Sequence, residues 1–432
     1  MLVHVFVSSL LGGVVLCSQL LPNIRANYSD SPEPFAIDVE PRFVDDVRYR
    51  VRTSRAPSLI EGLEPLNSDG PTLANYSAIR NYWIDEYDWF AEQTSINKDL
   101  KQFTTTVHSK DSKYTHPVPL HFVHHRSPRD DAIPLLFVHG WPGSFLEVRH
   151  LIGLLTHPPN SSVPAFHVVA PSIPGYGFSP APTHAGYGTT EAGHSFHALM
   201  QQLGYPRYVQ QGGDIGGFVL RRQAALYPDN VVSALSNFWV VRPNDTDLAR
   251  YAANETSEGE STYIKALETF IVQGSGYRHM HETQPLTLAY LANDSPLGFL
   301  IWIYALMEPL IDPRTTSWSL GEIITWSLMY TIQGPYGGFR MYKETLHEGD
   351  FQDVSFGTPP FVHQPIGVAT RPYDPGFWVP LSWMQRDGNV KAVYEHEFGG
   401  HFAADKDTKS LADDVYRWFG DRELSGTGVF YQ

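Results

Sequence analysis

The sequence predicts an α/β fold, a mostly parallel sheet flanked by helices that carries a helical lid insertion and an N-terminal extension, and three observations predict it. From residue 133 onward, short apolar runs of strand texture alternate with stretches of helical spacing. A glycine-rich stretch, Gly212-Gly213-Asp214-Ile215-Gly216-Gly217, marks a sharp strand-to-helix turn. Between about 240 and 350 the alternation gives way to consecutive helical stretches, and afterwards it returns.

Composition narrows the class. At 432 residues the chain is long enough for two or three average domains, or for one large α/β unit with insertions. With 42% hydrophobic residues, among them 24 Phe, 23 Tyr and 10 Trp, it can bury a large core. Its 31 basic and 46 acidic residues leave a formal charge of −15, which repels phosphate backbones and argues against a nucleic-acid partner. The single cysteine, Cys17, leaves the body of the protein with neither a disulfide framework nor a cysteine metal site.

Taken in order, residues 5–21 form an apolar run, shorter than the roughly 20 apolar residues of a membrane-crossing helix. With Ile24 and Ala26 spaced as at a cleavage site, residues 1–26 are expected to be a signal peptide that leads to the secretory pathway and to secretion. The alternatives are an uncleaved anchor in the endoplasmic reticulum membrane and a buried N-terminal helix. Sequons at Asn27, Asn75, Asn160, Asn244 and Asn254 agree with the secretory route. Residues 33–125 read as a separable unit, with aromatic positions at helical spacing over 81–93 and alternation over 120–125, a texture of packing rather than of catalysis.

The core starts near 130, and its first part runs over 130–240, with strands expected at 133–138 and 166–171 and a helix at 146–155. Residues 241–352 read as a lid, with helices expected at 247–251, 263–272, 286–291, 297–310 and 319–330. The second core part, 353–432, supplies strands at 366–369 and 390–394 and an amphipathic helix at 411–419.

Within this frame Asp214 takes the serine's place in the nucleophile elbow G-x-S-x-G, where glycines let the backbone fold back and leave the tip side chain at a helix N-terminus. An Asp among glycines is by default a turn or N-cap residue, so the assignment depends on partners. Two late loops supply them: Arg371-Pro372-Tyr373-Asp374 and Gly399-Gly400-His401 each follow a strand, in the chain order nucleophile, acid, histidine. His401 is then the base, and Asp374 holds its other ring nitrogen. After strand 133–138, the strap His139-Gly140-Trp141-Pro142 turns backbone amides toward the crevice. The N–H groups of Trp141 and Ile215 are expected to form an oxyanion hole. No metal site is expected. His396 and His401 are one residue too far apart for H-E-x-x-H, and the pairs His194/His197 and His279/His281 lack companion ligands.

These residues together resemble the epoxide hydrolases of the α/β-hydrolase fold, in their microsomal type with an N-terminal extension and in a fungal-like form. The likeness runs from about Glu33 to Phe419 and rests on Tyr82-Trp83-Ile84-Asp85-Glu86-Tyr87-Asp88-Trp89, the strap, the elbow and Gly399-Gly400-His401-Phe402-Ala403-Ala404. It implies Asp214 as nucleophile, His401 as base, Asp374 as its orienting acid, and two lid tyrosines that match Tyr277 and Tyr342. It also implies no cofactor, a small apolar epoxide and water as partners, and a vicinal diol released from an aspartyl ester, with aromatic-hydrocarbon or other xenobiotic epoxides as the field of use. A carboxylate suits that chemistry, because the ester it forms can be hydrolysed whereas a serine ether could not.

Three rivals stand beside it. A haloalkane dehalogenase commonly has Trp where Ile215 stands, an epoxide-opening cyclase would replace water with a substrate hydroxyl, and a binding protein would keep the fold without turnover. Membrane association through the N-terminus and a homodimer are further expectations. The extension either meets a neighbouring subunit or clamps its own lid.

Overall fold

Among the described residues, nine strands form one sheet. The structure is a computed structural model that describes residues 23–62, 69–352, 355–357, 359–375 and 379–432. The strands are β1 (Glu33–Phe35), β2 (Gln102–Val107), β3 (Val118–His125), β4 (Ile133–Val138), β5 (Phe166–Pro171), β6 (Tyr208–Gly212), β7 (Val231–Ser236), β8 (Val362–Thr370) and β9 (Gly388–Glu395). Their spatial order is β1-β2-β3-β5-β4-β6-β7-β8-β9. The run from β5 through β4, β6, β7 and β8 to β9 is parallel, as expected for strands buried on both faces.

Register decides where the chemistry sits. Val138 pairs with Gly212, and Gly212 pairs with Ser236, so the loops after β4, β6 and β7 leave the sheet side by side at its carboxyl edge. That edge is where open α/β sheets bind ligands.

The N-terminal segment, expected as a separable unit, shares this sheet instead. β1, β2 and β3 pair antiparallel, and β3 pairs antiparallel with β5. The physical reason is the otherwise open edge of β5, whose unpaired backbone groups the extension covers. The segment's helices Pro41–Thr53 and Leu73–Asp85 lie against the lid, where the hydroxyls of Tyr87 and Thr325 are 2.9 Å apart and Arg50 pairs with Asp294 at 3.0 Å. The extension therefore clamps its own lid.

The lid contains the expected helices as Asp245–Ala252, Glu258–Thr269, Pro285–Asp294, Pro296–Met307 and Leu320–Thr331. It also has two more, Gly276–Thr283 and Tyr336–Glu348, which carry glycines in their first turns and so escape a periodicity search. Two expected helices are broken. Over 81–93 the carboxylate of Asp88 accepts from the amides of Phe90 and Ala91 and starts a new helix, Trp89–Asp99. Over 146–155 the chain forms the short turn Phe145–Val148 and then the helix Leu151–Thr156.

Residues 5–21 of the expected leader lie outside the described residues. Among the described residues no single helix is long and apolar enough to cross a membrane.

Candidate active site

The elbow is built by close approach. A side chain at Gly212 would come within 2.5 Å of the Val138 carbonyl oxygen, and one at Gly216 would fall inside that oxygen's van der Waals shell. Only bare backbone lets the turn after β6 press against the end of β4. Asp214, at the tip, has φ 52° and ψ −130°, a conformation that costs a non-glycine residue about 1–3 kcal/mol. It caps the helix Ile215–Leu226, whose dipole favours a negative charge at this end.

Each of the Asp214 carboxylate oxygens has a partner. The Trp141 amide donates to Oδ1 at 2.8 Å, so the strap reaches the nucleophile candidate through its backbone. Oδ2 lies 3.5 Å from Nε2 of His401, and Nδ1 of His401 lies 2.8 Å from Oδ2 of Asp374. Burial opposes the imidazolium form of His401, but Asp374 and Asp214 outweigh it and push the ring up to about 10. Ile215 is buried and lines the cavity beside Asp214, its backbone at the first position of the helix.

Distant parts of the chain pin the histidine loop. The His401 amide donates to the Leu310 carbonyl at 2.9 Å, Gly400 to Asp407 at 3.0 Å and Gly399 to Asp312 at 3.1 Å. The amide of Tyr373 donates to the Gly399 carbonyl at 3.2 Å, tying the acid loop to the histidine loop.

His139 supports the strap rather than the chemistry. Its Nε2 accepts from the Ile173 amide at 3.1 Å and its Nδ1 faces the Gly140 carbonyl at 3.0 Å, while burial pushes the ring down to about 4 and keeps it neutral. Gly140 lies flush against Asp214, and Pro142 lines the cavity next to Trp141.

A cavity of about 590 Å³ opens over the carboxylate. Asp214 and His401 form its floor, and the lid brings Tyr277 and Tyr342 to its wall. The Tyr277 ring stacks on Trp141 at 5.1 Å, and the Tyr342 ring meets the same indole edge-on at 5.7 Å. The two phenol rings are 5.9 Å apart, and burial, with Asp214's proximity, raises both above the ordinary phenol value. The remaining wall is largely apolar, with Phe218, Phe238, Phe270, Leu306, Phe351 and Phe356. Among the described residues no group of three or more His, Cys, Asp or Glu is placed to hold a metal.

Sequence reasoning missed Asn237. Its side chain accepts from Gln211 at 2.9 Å and reaches the His401 carbonyl at 3.5 Å, so it links the elbow to the histidine loop. The missing signal is β7, which the sequence reading did not recognise and which delivers Asn237 to the site.

The chain resembles known proteins over most of its length. The family described as epoxide hydrolase N terminus matches residues 32–148, and the alpha/beta hydrolase fold family matches residues 133–237. The chain is 30% identical over 419 residues to epoxide hydrolase 1 of Sus scrofa, covering 90% of this chain and 89% of that one. It is 25% identical over 423 residues to juvenile hormone epoxide hydrolase 1 of Ctenocephalides felis, covering 91% and 87%. The solved structure of the Aspergillus niger epoxide hydrolase superposes with a TM-score of 0.77 at 27% identity, covering 93% of this chain and 98% of that one.

Proposed function

This chain belongs to the epoxide hydrolase family, and on that premise we propose that it opens an epoxide to a vicinal diol through an ester on Asp214. The observation that carries the reading is one cavity with a carboxylate and an imidazole on its floor and two phenols on its wall. An Asp214 oxygen bonds to an epoxide carbon, the ring C–O bond breaks, and Tyr277 and Tyr342 meet the developing alkoxide with a proton. An alkoxide is a stronger base than a phenolate even where burial raises the phenol.

In the second half, His401 takes a proton from water as the water oxygen bonds to the ester carbon. The tetrahedral oxyanion lies where the Trp141 amide already donates, with the Ile215 amide as its partner. Collapse breaks the acyl–oxygen bond, and the diol oxygen leaves with the proton from His401. Alkylation neutralises Asp214, one of the two carboxylates that hold the His401 ring protonated, so the ring gives its resting proton to the phenolate left by ring opening and becomes the base only once there is an ester to hydrolyse. At the end the carboxylic acid re-ionises, and its proton returns to His401.

The apolar wall favours carbon-rich epoxides, including aromatic-hydrocarbon and other xenobiotic ones. Ile215 stands beside Asp214 where a dehalogenase commonly has an indole, which disfavours dehalogenation. A single turnover in oxygen-18 water is expected to label the Asp214 carboxylate and leave the first diol unlabelled. Label in the first diol would overturn the ester route, and a cyclic ether product would favour the cyclase.

Entry to the secretory pathway, through a cleaved leader or an endoplasmic reticulum anchor, belongs to the same proposal. Four sequons, at Asn27, Asn160, Asn244 and Asn254, stand on exposed side chains, which suits glycosylation. A glycosidase-sensitive mass shift and fractionation with membranes would test the two parts, and sedimentation would test the homodimer.

A further inference from the structure

Of the amides of Gly399, Gly400 and His401, two donate to the lid rather than to the core. Gly400 donates to Asp407 of the core at 3.0 Å, whereas His401 donates to the Leu310 carbonyl at 2.9 Å and Gly399 to Oδ2 of Asp312 at 3.1 Å. Leu310 and Asp312 belong to the lid segment that follows the helix Pro296–Met307. The approach is close. A side chain at Gly400 would collide with the Leu310 carbonyl oxygen, so only bare backbone lets the lid segment and the histidine loop meet.

Asp312 is built into this contact. It is fully buried, and its carboxylate organises the turn: Oδ1 accepts from the Arg314 amide and from Arg314 Nε, both at 2.9 Å, and Oδ2 accepts from Arg314 Nη2 at 2.7 Å. The same Nη2 donates to the Glu397 carbonyl at 3.0 Å, and the guanidinium lies 4.6 Å over the Phe398 ring. One carboxylate and its arginine thus grip the histidine loop from Glu397 to Gly399. The charge of His401 is raised by Asp374 and Asp214, so what Asp312 supplies is position.

The same lid segment faces the substrate, since Leu306, Pro309 and Leu310 line the cavity over Asp214. Lid and core meet a second time around a polar chamber of about 440 Å³ lined by Arg149, Glu322 and Asp405, where Lys406 pairs with Glu322 at 2.7 Å. Among the described residues that chamber shares no lining residue with the substrate cavity. Of the two meeting places, the one through Asp312 joins the cavity wall to the base.

We propose that Asp312 is a positioning residue for His401: through Asp312 and the Leu310 carbonyl, the seated lid holds the base within reach of the ester on Asp214. The assignment rests on the aspartyl-ester reading and names the part of the lid on which its second half depends. Asp312 meets neither substrate nor reacting atoms; it keeps His401 Nε2 where the proton of the attacking water can pass to it. Ring opening uses the Asp214 carboxylate and two phenols that stand on other elements, so it does not call on Asp312.

The test is rapid-quench single turnover with styrene oxide and excess enzyme, following the ester on Asp214 by intact mass. Asp312→Ala is expected to form ester within about twofold of the wild-type rate but to lose it about 10–100-fold more slowly, the size of a misplacement of about an ångström. Asp312→Asn keeps an acceptor oxygen for the Gly399 amide and is expected to recover most of that loss. Arg314→Met, at a half-exposed side chain, is expected to slow decay about 3-fold with formation unchanged, and it decides the matter if the alanine variant does not fold. Ester decay at the wild-type rate in these variants, or equal slowing of formation and decay, would overturn the assignment. His401→Gln separates this from the parent reading: if it accumulates no ester, the aspartyl nucleophile itself is wrong, whereas ester there with normal decay in Asp312→Ala removes only Asp312.

Discussion

The floor and the wall of the substrate cavity are held by different forces. On the floor, Asp214, His401 and Asp374 are set by backbone: a turn pressed against β4, an amide on the carboxylate, and a histidine loop pinned through Gly399, Gly400 and His401. On the wall, Tyr277 and Tyr342 stand on lid helices, and their rings pack against Trp141, His281 and each other. Backbone hydrogen bonds fix position to tenths of an ångström, while ring stacking tolerates sliding at small cost. In the proposed mechanism the floor supplies the nucleophile and the base, and the wall supplies the proton donors and decides which epoxide fits.

The largest expected effect breaks the floor. Asp214→Asn keeps the shape but removes the attacking charge, and turnover is expected to fall by about 10⁴-fold or more, with no ester by intact mass. Residual activity near wild type would mean that some other group attacks. The wall should yield more gradually. Tyr342→Phe alone is expected to slow ring opening about 10-fold, because Tyr277 still donates, and the double change to Phe about 10³-fold, the size seen when an oxyanion donor is removed. A single change that already costs the full factor would show that one phenol does all the donating.

The smallest effect separates the two regions by charge. His401 is raised to about 10 in the fold, above its ordinary 6.5, so its contribution to stability is complete below pH 6.5 and is lost as pH rises through about 10. The difference in melting temperature between wild type and His401→Gln is therefore expected to shrink by a few degrees from pH 7 to 10. Replacing both tyrosines with Phe should leave the pH dependence over that window unchanged, since burial keeps both phenols neutral through it. A constant His401 difference would mean that the resting ring is neutral.

Much of the floor was legible because its signals are local. Glycine at 212 and 216 and proline at 142 report backbone demands that hold wherever the segment folds, and the order Asp214, Asp374, His401 follows from the order of the strands. The wall was harder to read from periodicity. The helices Gly276–Thr283 and Tyr336–Glu348 carry glycines in their first turns, so Tyr277 and Tyr342 came from family resemblance alone. Asn237 left no motif at all, because it acts through neighbours far away in sequence.

By itself the sequence determined the α/β alternation, the elbow with a carboxylate at its tip and the lid between two halves of the core, since each is written in short-range spacing and residue type. Tertiary structure alone decided that the extension completes the sheet through β3 and β5, and that a polar chamber lies apart from the apolar one. The reason is register and packing: which edges meet, and what space remains between them, depends on segments hundreds of residues apart arriving at the same place.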